Sequence, residues 1–270
     1  MPVLTWNAGV TGLPTGTKEG GRRVDFRTDE FTVILELKGY RLAWSRAALC
    51  PCAGVNEQTE QPDPNCQLCK GHGFFYYKPA GAVVDERRVG ALDALQQRIA
   101  ADAAVIRGIM TGLAAKEIPH DTVLSRMEGT SSVTTRWENK LGYWDRLVNL
   151  DSLIVYSQLL VAGPAPLTTR YPVAKMEMLR TLDRPLIDGT GGLVTDPDYQ
   201  IVAGDIVWFP GQAPDAGTKL AAHYLCHPAW RVIEHPHATR TTSVKFKTTS
   251  PVGDPKELPN QAVVRYEFLP

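Results

Sequence analysis

Apolar and polar residues alternate in short runs along most of the chain, and glycine or proline residues separate these runs. Tyr199 to Val202 and Asp205 to Phe209 are one example, because Ala203-Gly204 between them is a hairpin turn signal. The chain has 20 prolines and 23 glycines, so turn signals occur throughout it. The pattern predicts a mainly β protein with an antiparallel core that resembles a sandwich or a barrel. Further strands are predicted at Leu147 to Leu160, Tyr171 to Leu182, Lys219 to Leu225, Trp230 to Glu234 and Ala262 to Phe268.

The N-terminal part of the chain divides into two predicted segments. Residues 1–30 are rich in glycine and have few apolar anchors, so we expect an extended arm. Phe31 to Leu37 is rich in β-branched and aromatic residues and predicts a strand, with Tyr40 to Trp44 as its hairpin partner. This hairpin opens a second segment over residues 31–90, and the mainly β domain follows over residues 91–270.

One stretch has the character of a helix. Asp93 to Ala104 consists largely of strong helix formers, and Leu95 and Ile99 lie four residues apart on one face. We therefore expect a single short helix in an otherwise β protein.

Four of the five cysteines form two close pairs, Cys50 with Cys52 and Cys66 with Cys69. The 13 residues between the pairs are polar and include two prolines, so apolar burial cannot order this loop. Four thiolates around Zn²⁺ would order it instead. The sequence predicts a structural zinc knuckle over residues 50–78, inserted in the hairpin segment, with disulfides or unrelated thiols as the alternative.

Composition and charge limit the classes of function. A hydrophobic content of 43% is enough for a buried core, and 29 basic residues balance 29 acidic ones. This neutral balance lacks the excess of basic residues that is typical of proteins that bind nucleic acid. No apolar run is long enough to cross a bilayer, and the first residues do not resemble a signal peptide. These features predict a soluble protein without a membrane partner.

Histidines near the C-terminal end offer an alternative, enzymatic interpretation. His223, His227 and His235, together with Asp205, would have to converge in one cleft to serve a zinc-stabilised hydrolase or nuclease. The run from Lys219 to His227 alternates better as a strand, and it lacks the glutamate that a helical zinc-protease motif places between two histidines. We therefore expect structural roles for these histidines and no enzymatic activity.

Aromatic residues beside arginines predict an interface. Such residues could stack on nucleic acid, but they are equally typical of protein contacts, and the neutral net charge favours a protein partner. The predicted interface residues are Trp137, Tyr143, Trp144, Arg146, His227 and Trp230.

Three blocks together suggest a family: Cys66 to Gly73, which reads Cys-x-x-Cys-x-Gly-x-Gly, Tyr143-Trp144-Asp145-Arg146, and Tyr224 to Glu234. With the predicted arm and the turn-rich β pattern, they resemble virion structural proteins of tailed bacteriophages. The closest resemblance is to head-completion or neck proteins, which are head-to-tail connectors.

The resemblance implies a homo-oligomeric ring between portal and tail proteins, assembled in the host cytoplasm and found in the virion. DNA would pass through its channel without sequence-specific binding. A baseplate or other tail protein would share these features and remains the alternative within this class.

Overall fold

The computed structural model describes part of the chain, in ten ranges. Residues 1–27 of the predicted arm, which was expected over residues 1–30, lie outside the described residues. The described ranges are 28–54, 66–69, 73–82, 91–112, 129–163, 166–192, 194–234, 241–243, 255–257 and 259–267.

Strands contain 47% of the described residues and helices 9%, so the predicted mainly β fold class is confirmed. Helix α1 (Thr28–Lys38) precedes the first strand, and helix α2 (Ala94–Ile99) lies between the second and the third. Neither described helix is long and apolar enough to cross a membrane. The strands are β1 (Tyr40–Leu49), β2 (Phe74–Tyr77), β3 (Ala104–Gly112), β4 (Thr130–Thr135), β5 (Arg146–Asn149), β6 (Ile154–Val161), β7 (Val173–Arg180), β8 (Tyr199–Val202), β9 (Asp205–Trp208), β10 (Lys219–Cys226), β11 (Ala229–Glu234), β12 (Thr241–Ser243), β13 (Pro255–Glu257) and β14 (Asn260–Tyr266).

Six antiparallel strands close into a barrel, in the order β1, β3, β4, β14, β11 and β5. The ring closes because β1 pairs with β3 on one side and with β5 on the other, through Leu42, Ala43 and Trp44 on both sides. Closure leaves these six strands without an open edge. Inside lies a core of Leu42, Trp44, Ala104, Ile106, Val133, Leu141, Leu147, Trp230, Val232, Ala262 and Val264.

Strand β1 extends beyond the barrel and carries β2. Arg46 to Leu49 pair with the four residues of β2, so this β1–β2 hairpin projects from the ring. The cysteine loop connects the two strands of that hairpin. The barrel therefore supplies a rigid base for the cysteines.

A second β unit lies between β5 and β11 in the chain. Its three-stranded sheet has the order β6, β10, β7, and β8 with β9 forms a separate hairpin. Alternate residues of β10 are buried, which is the period-2 pattern that predicted a strand here. The unit has a core of its own, formed by Leu160, Ala162, Tyr171, Val173, Met176, Leu179, Leu186, Tyr199, Ile206, Trp208, Leu220, Ala222, Tyr224 and Cys226.

The predicted turn between β8 and β9 is confirmed. Ala203 and Gly204 both have positive φ, as a tight two-residue hairpin turn requires. A Cβ atom at Gly204 would lie 2.8 Å from side-chain atoms of Leu95 and Pro172. Glycine is therefore needed here both for the backbone conformation and for the close approach of helix α2.

The strand predicted at Phe31 to Leu37 was wrong, because these residues belong to helix α1. Leu35 is fully buried, and Glu36 forms an ion pair with Arg136 at 3.1 Å. These tertiary contacts outweigh the strand preference of the β-branched residues before them. The predicted partner, Tyr40 to Trp44, does form a strand, but it pairs with β3 and β5.

The predicted helix at Asp93 to Ala104 is present in shorter form as α2. Asp93 is its N-cap, because the side chain of Asp93 accepts a hydrogen bond from the backbone N–H of Gln96. The Gln96 side chain completes the capping box by accepting from the backbone N–H of Asp93. Ala104 already lies in β3, so the helix ends before the predicted boundary.

Candidate metal centre

The four paired cysteines lie together at the end of the β1–β2 hairpin. Cys50 directly follows β1, and Cys52 lies in the 3-10 turn Pro51–Gly54. Cys66 and Cys69 come before β2 and face the first pair. All four Sγ atoms lie within 4.8 Å of one another, so the predicted grouping is confirmed.

The spacing of the sulfur atoms fits one metal ion. Sγ of Cys50 is 3.7 Å from Sγ of Cys66, and Sγ of Cys52 is 3.3 Å from Sγ of Cys69. A tetrahedral ion with metal–sulfur bonds of about 2.3 Å separates its ligand atoms by about 3.8 Å. Iron–sulfur clusters spread their thiolates over several irons and need a wider set. None of the five cysteines forms a disulfide bond, which does not favour the disulfide alternative.

Backbone pairing brings the two cysteine pairs together. Leu49 pairs with Phe74, and the N–H of Cys50 donates to the carbonyl of Gly73 at 2.8 Å. Gly73 has a positive φ, which lets the chain turn from the second pair into β2. The hairpin therefore holds both ends of the loop at a fixed separation, and the cysteines need only the metal to complete the site.

Burial of the site is uneven. Cys50 and Cys69 are buried, while Cys52 and Cys66 are partly accessible. A closed shell of four protein ligands leaves no open position for a substrate, so the arrangement suits a structural ion. The residues fit a soft divalent metal such as zinc, with Cys50, Cys52, Cys66 and Cys69 as its ligands.

Exposed aromatic residues lie beside the metal centre. Phe74, at the start of β2, stacks on Trp144 with 5.3 Å between the ring centroids. Trp144 has a positive φ of 68°, and it and its neighbour Tyr143 remain exposed. Trp137 is exposed as well. Three of the six predicted interface residues thus lie at the surface of the chain.

The other three predicted interface residues are engaged within the chain. Trp230 is buried in the barrel and stacks on Tyr266 with 4.7 Å between centroids. His227 is also buried, and its Nδ1 lies 3.1 Å from the carbonyl of Asn149. Arg146 forms an ion pair with Glu267. Trp230 and His227 therefore offer a partner little accessible surface.

Asp145 has a structural role that the sequence did not reveal. Its buried carboxylate accepts hydrogen bonds from the Trp44 indole N–H at 2.7 Å, the Ala47 N–H at 3.0 Å and the Gly142 N–H at 2.7 Å. These bonds join β1, at the base of the β1–β2 hairpin, to the turn that carries Trp144. The only signal in the sequence is an acidic residue placed directly before the apolar strand β5.

Glu267 forms a second, largely buried acidic centre, between two arginines. Its carboxylate accepts from Arg146 Nε at 2.8 Å and from Arg231 Nη2 at 2.8 Å. Burial by itself would raise the pKa of Glu267, but the two guanidinium groups outweigh it and hold that pKa below its usual range. The folded state therefore favours the ionised carboxylate.

Replacing Glu267 with glutamine is expected to destabilise the barrel by about 2 to 3 kcal/mol at pH 7. Folding lowers the pKa of Glu267. The ionised carboxylate therefore stabilises the fold fully above its pKa in the unfolded chain, about 4.3, and this stabilisation is lost as the pH falls through its pKa in the folded chain. Urea unfolding should therefore show that the difference in the free energy of unfolding between wild type and Glu267→Gln decreases below about pH 4.

Glu234→Gln is the matched control for that comparison. Glu234 is exposed at the end of β11, the strand that carries Arg231, so its substitution should change stability by less than about 0.5 kcal/mol. A Glu267→Gln difference that stays constant from pH 7 to pH 3 would contradict an ionised Glu267.

The residues of the enzymatic alternative have separate partners. His223 contacts Ser157 and lies 3.3 Å from Glu177 on the outer face of β10. His227 lies between backbone carbonyls, and Asp205 forms an ion pair with Arg98 at 2.7 Å. His235 lies outside the described residues. Among the described residues, the cysteine group is the one cluster suited to a metal.

Two comparisons with known proteins identified no relative of this chain. A scan against models of protein families gave no match, and a search of curated proteins gave none either. The metal centre and the surface of the chain are therefore the features that bear on its function.

Proposed function

We propose that the chain is a structural component of a tailed-phage particle. In this proposal it acts as a homo-oligomeric ring in the neck, between portal and tail, and has no enzymatic activity. The cysteine site holds a structural zinc ion that orders the β1–β2 hairpin. The resemblance in sequence suggests this role, and the surface of the second β unit supports it.

The observation that carries the proposal is an exposed apolar face on the sheet of β6, β10 and β7. On β6, Val155, Leu159 and Val161 expose 52%, 80% and 60% of their surface. Leu225 and Ala221 of β10 lie opposite Val155 and Leu159 and are only half-buried. Ser157 and His223 lie between these apolar side chains, and Lys219 lies opposite Val161. Exposed apolar side chains grouped in this way are costly in water and are typical of a surface that another protein covers.

The aromatic surface beside the metal centre supports protein contact over nucleic-acid contact. Stacking on nucleic acid needs free cations near the rings. The two arginines nearest these aromatics in sequence are instead engaged in ion pairs, Arg136 with Glu36 and Arg146 with Glu267. Together with the zero net charge, this favours DNA that passes through a channel without specific binding.

Native mass spectrometry of the purified chain tests the proposal. We expect one zinc ion per chain and a closed multimer, because the apolar face must be covered in solution. A zinc-bearing monomer at micromolar concentration would contradict the homo-oligomer. Immunogold labelling of intact particles then separates the neck from the baseplate, since label at the tail tip would favour the baseplate alternative.

A further inference from the structure

A cavity of about 260 Å³ lies where helix α2 and the second β unit meet the barrel. Its walls come from β1, β2, β5, α2 and the segment before β7, and the apolar wall consists of Ile99, Val148 and Pro172. A cavity of about 150 Å³ can hold benzene, so this one has room for a ligand of about ten non-hydrogen atoms. Clefts between packed units are common sites for small ligands.

One wall of the cavity presents a nitrogen acceptor. His227 is only 8% exposed, and its Nδ1 lies 3.1 Å from the carbonyl oxygen of Asn149 and 3.0 Å from that of Ser152. A carbonyl oxygen only accepts, so Nδ1 carries the proton and Nε2 of the neutral ring is an acceptor. Nε2 lies on the side of the ring away from these carbonyls, and no described residue forms a hydrogen bond with it. His227 lines the cavity, so this acceptor is available to a ligand.

The opposite walls, on β2 and β5, present donors. Arg146 binds Glu267 through Nε at 2.8 Å, and no described residue accepts from its two Nη groups. The hydroxyl of Tyr76 also has no hydrogen-bond partner among the described residues. Burial raises the pKa of Tyr76, so this hydroxyl stays protonated and can donate. The hydroxyl of Tyr171, by contrast, already donates to the carbonyl of Glu267 at 3.4 Å.

The charges beside Tyr76 favour a negatively charged group. Glu267 is shared by Arg146 and Arg231, so these three groups together keep one positive charge. Asp145 adds a negative charge, but of the four groups it acts least on the Tyr76 hydroxyl, and Arg231 acts most. The two arginines therefore outweigh the two carboxylates at this end of the cavity. A guanidinium with two available Nη groups suits a carboxylate, because it can donate to both oxygens.

The other charged residues of the lining leave this sign unchanged. Arg98 forms an ion pair with Asp205 at 2.7 Å, so its charge is offset within the chain. Asp102 is exposed, so water and salt screen its carboxylate. Arg146 is therefore the cation of the lining that a ligand can use.

We propose that this cavity binds a small organic carboxylate that also carries a hydroxyl or N–H donor. The carboxylate accepts hydrogen bonds from Arg146 and Tyr76, and the donor group binds Nε2 of His227. The body of the ligand packs on the apolar wall. All the residues that carry the proposal belong to one chain, so the site does not depend on the proposed ring.

Three probes of nearly equal size test the ligand class by isothermal titration calorimetry on the full metal-bearing chain. Para-hydroxyphenylacetate has both the carboxylate and the hydroxyl donor. Phenylacetate lacks the donor, and para-hydroxyphenylacetamide replaces the carboxylate with a neutral amide. We expect para-hydroxyphenylacetate to bind with a Kd below about 1 mM, and each of the other two to bind at least about 5-fold more weakly.

Tyr76→Phe tests the site, and Tyr77→Phe is its matched control. Tyr77 is the next residue of β2, so its side chain points to the other face of the strand, and it is not part of the cavity wall. Tyr76→Phe should weaken the binding of para-hydroxyphenylacetate about 10-fold, whereas Tyr77→Phe should bind like wild type. Circular dichroism and metal content establish that both variants are folded.

NMR of the ¹⁵N-labelled histidine rings tests the acceptor directly. In His227 we expect a protonated Nδ1 and an unprotonated Nε2, whose resonance shifts when para-hydroxyphenylacetate binds. A proton on Nε2 alone would overturn the assignment. So would equal binding by Tyr76→Phe and Tyr77→Phe, amide binding as tight as that of the carboxylate, or no binding of any probe up to about 10 mM. None of these results would change the proposed function.

Discussion

In the Cys69→Ser variant, we expect the bound metal to fall from one ion per chain to none. A serine hydroxyl is a poor ligand for a soft metal, and three thiolates do not complete the tetrahedral shell that the four Sγ atoms outline. Structural zinc contributes about 10 kcal/mol or more to the folding of isolated zinc-binding peptides. The effect should therefore be the largest that a single substitution produces in the β1–β2 hairpin.

The barrel should remain folded in this variant, because its ring closes without β2. Among the described strands, β2 pairs only with the outer part of β1, beyond the residues that pair with β3 and β5. Hydrogen exchange should show the amides of β2 losing protection by at least about 100-fold, while β3 and β4 keep theirs. Chelation of the metal from wild type should produce the same exchange pattern.

Cys226→Ala is the matched control, since it removes one thiol elsewhere. Cys226 is buried in the core of the second β unit, and burial raises the pKa of its thiol to about 12, so it stays protonated at neutral pH. This variant should keep its metal and the protection of β2. Stoichiometric metal in Cys69→Ser, with unchanged exchange in β2, would rule out a four-thiolate site.

The β architecture and the cluster of four cysteines could be predicted from the sequence because both depend on local spacing. Alternation in β10 follows from one face packing on a core, and the two cysteine pairs have the short spacing of metal knuckles. Closure of the barrel could not be predicted from the sequence, because the pairing of β5 with β1 joins residues about a hundred positions apart. Helix α1 was missed for the same reason: its contacts through Leu35 and Glu36 are tertiary.

Residue type alone did not separate surface aromatics from core aromatics. Of the residues predicted for an interface, Tyr143 and Trp144 are exposed, but Trp230 belongs to the barrel core. An aromatic residue next to an arginine in the sequence can lie at a surface interface or in a core. Arg231, which follows Trp230, binds Glu267 within the chain. The exposed β6 face was also missed, since its alternation reads as an ordinary half-buried strand.

Replacing Asp145 with alanine is expected to destabilise the chain by about 3 to 5 kcal/mol, the largest effect we predict for a substitution in the barrel. The change leaves three N–H donors, from Trp44, Ala47 and Gly142, without their acceptor. The bond from Trp44 is buried and the other two are partly buried. Each unsatisfied buried donor costs about 1 to 3 kcal/mol, and partial relaxation of the 142–145 turn reduces the sum. Urea unfolding at pH 7 measures the loss.

Asp145→Asn separates hydrogen bonding from shape, because asparagine has almost the same volume but replaces one accepting oxygen with a donating NH₂ group. We expect it to cost about 2 kcal/mol, less than alanine, since one carbonyl oxygen still accepts. Asp183→Ala, in the exposed turn after β7, should change stability by less than about 0.5 kcal/mol. The indole N–H resonance of Trp44 should shift in both Asp145 variants because the charged carboxylate that accepts its 2.7 Å bond is removed. An Asp145→Ala variant as stable as wild type would show that water or another acceptor replaces the carboxylate, and that the turn carrying Trp144 is held to the barrel by other contacts.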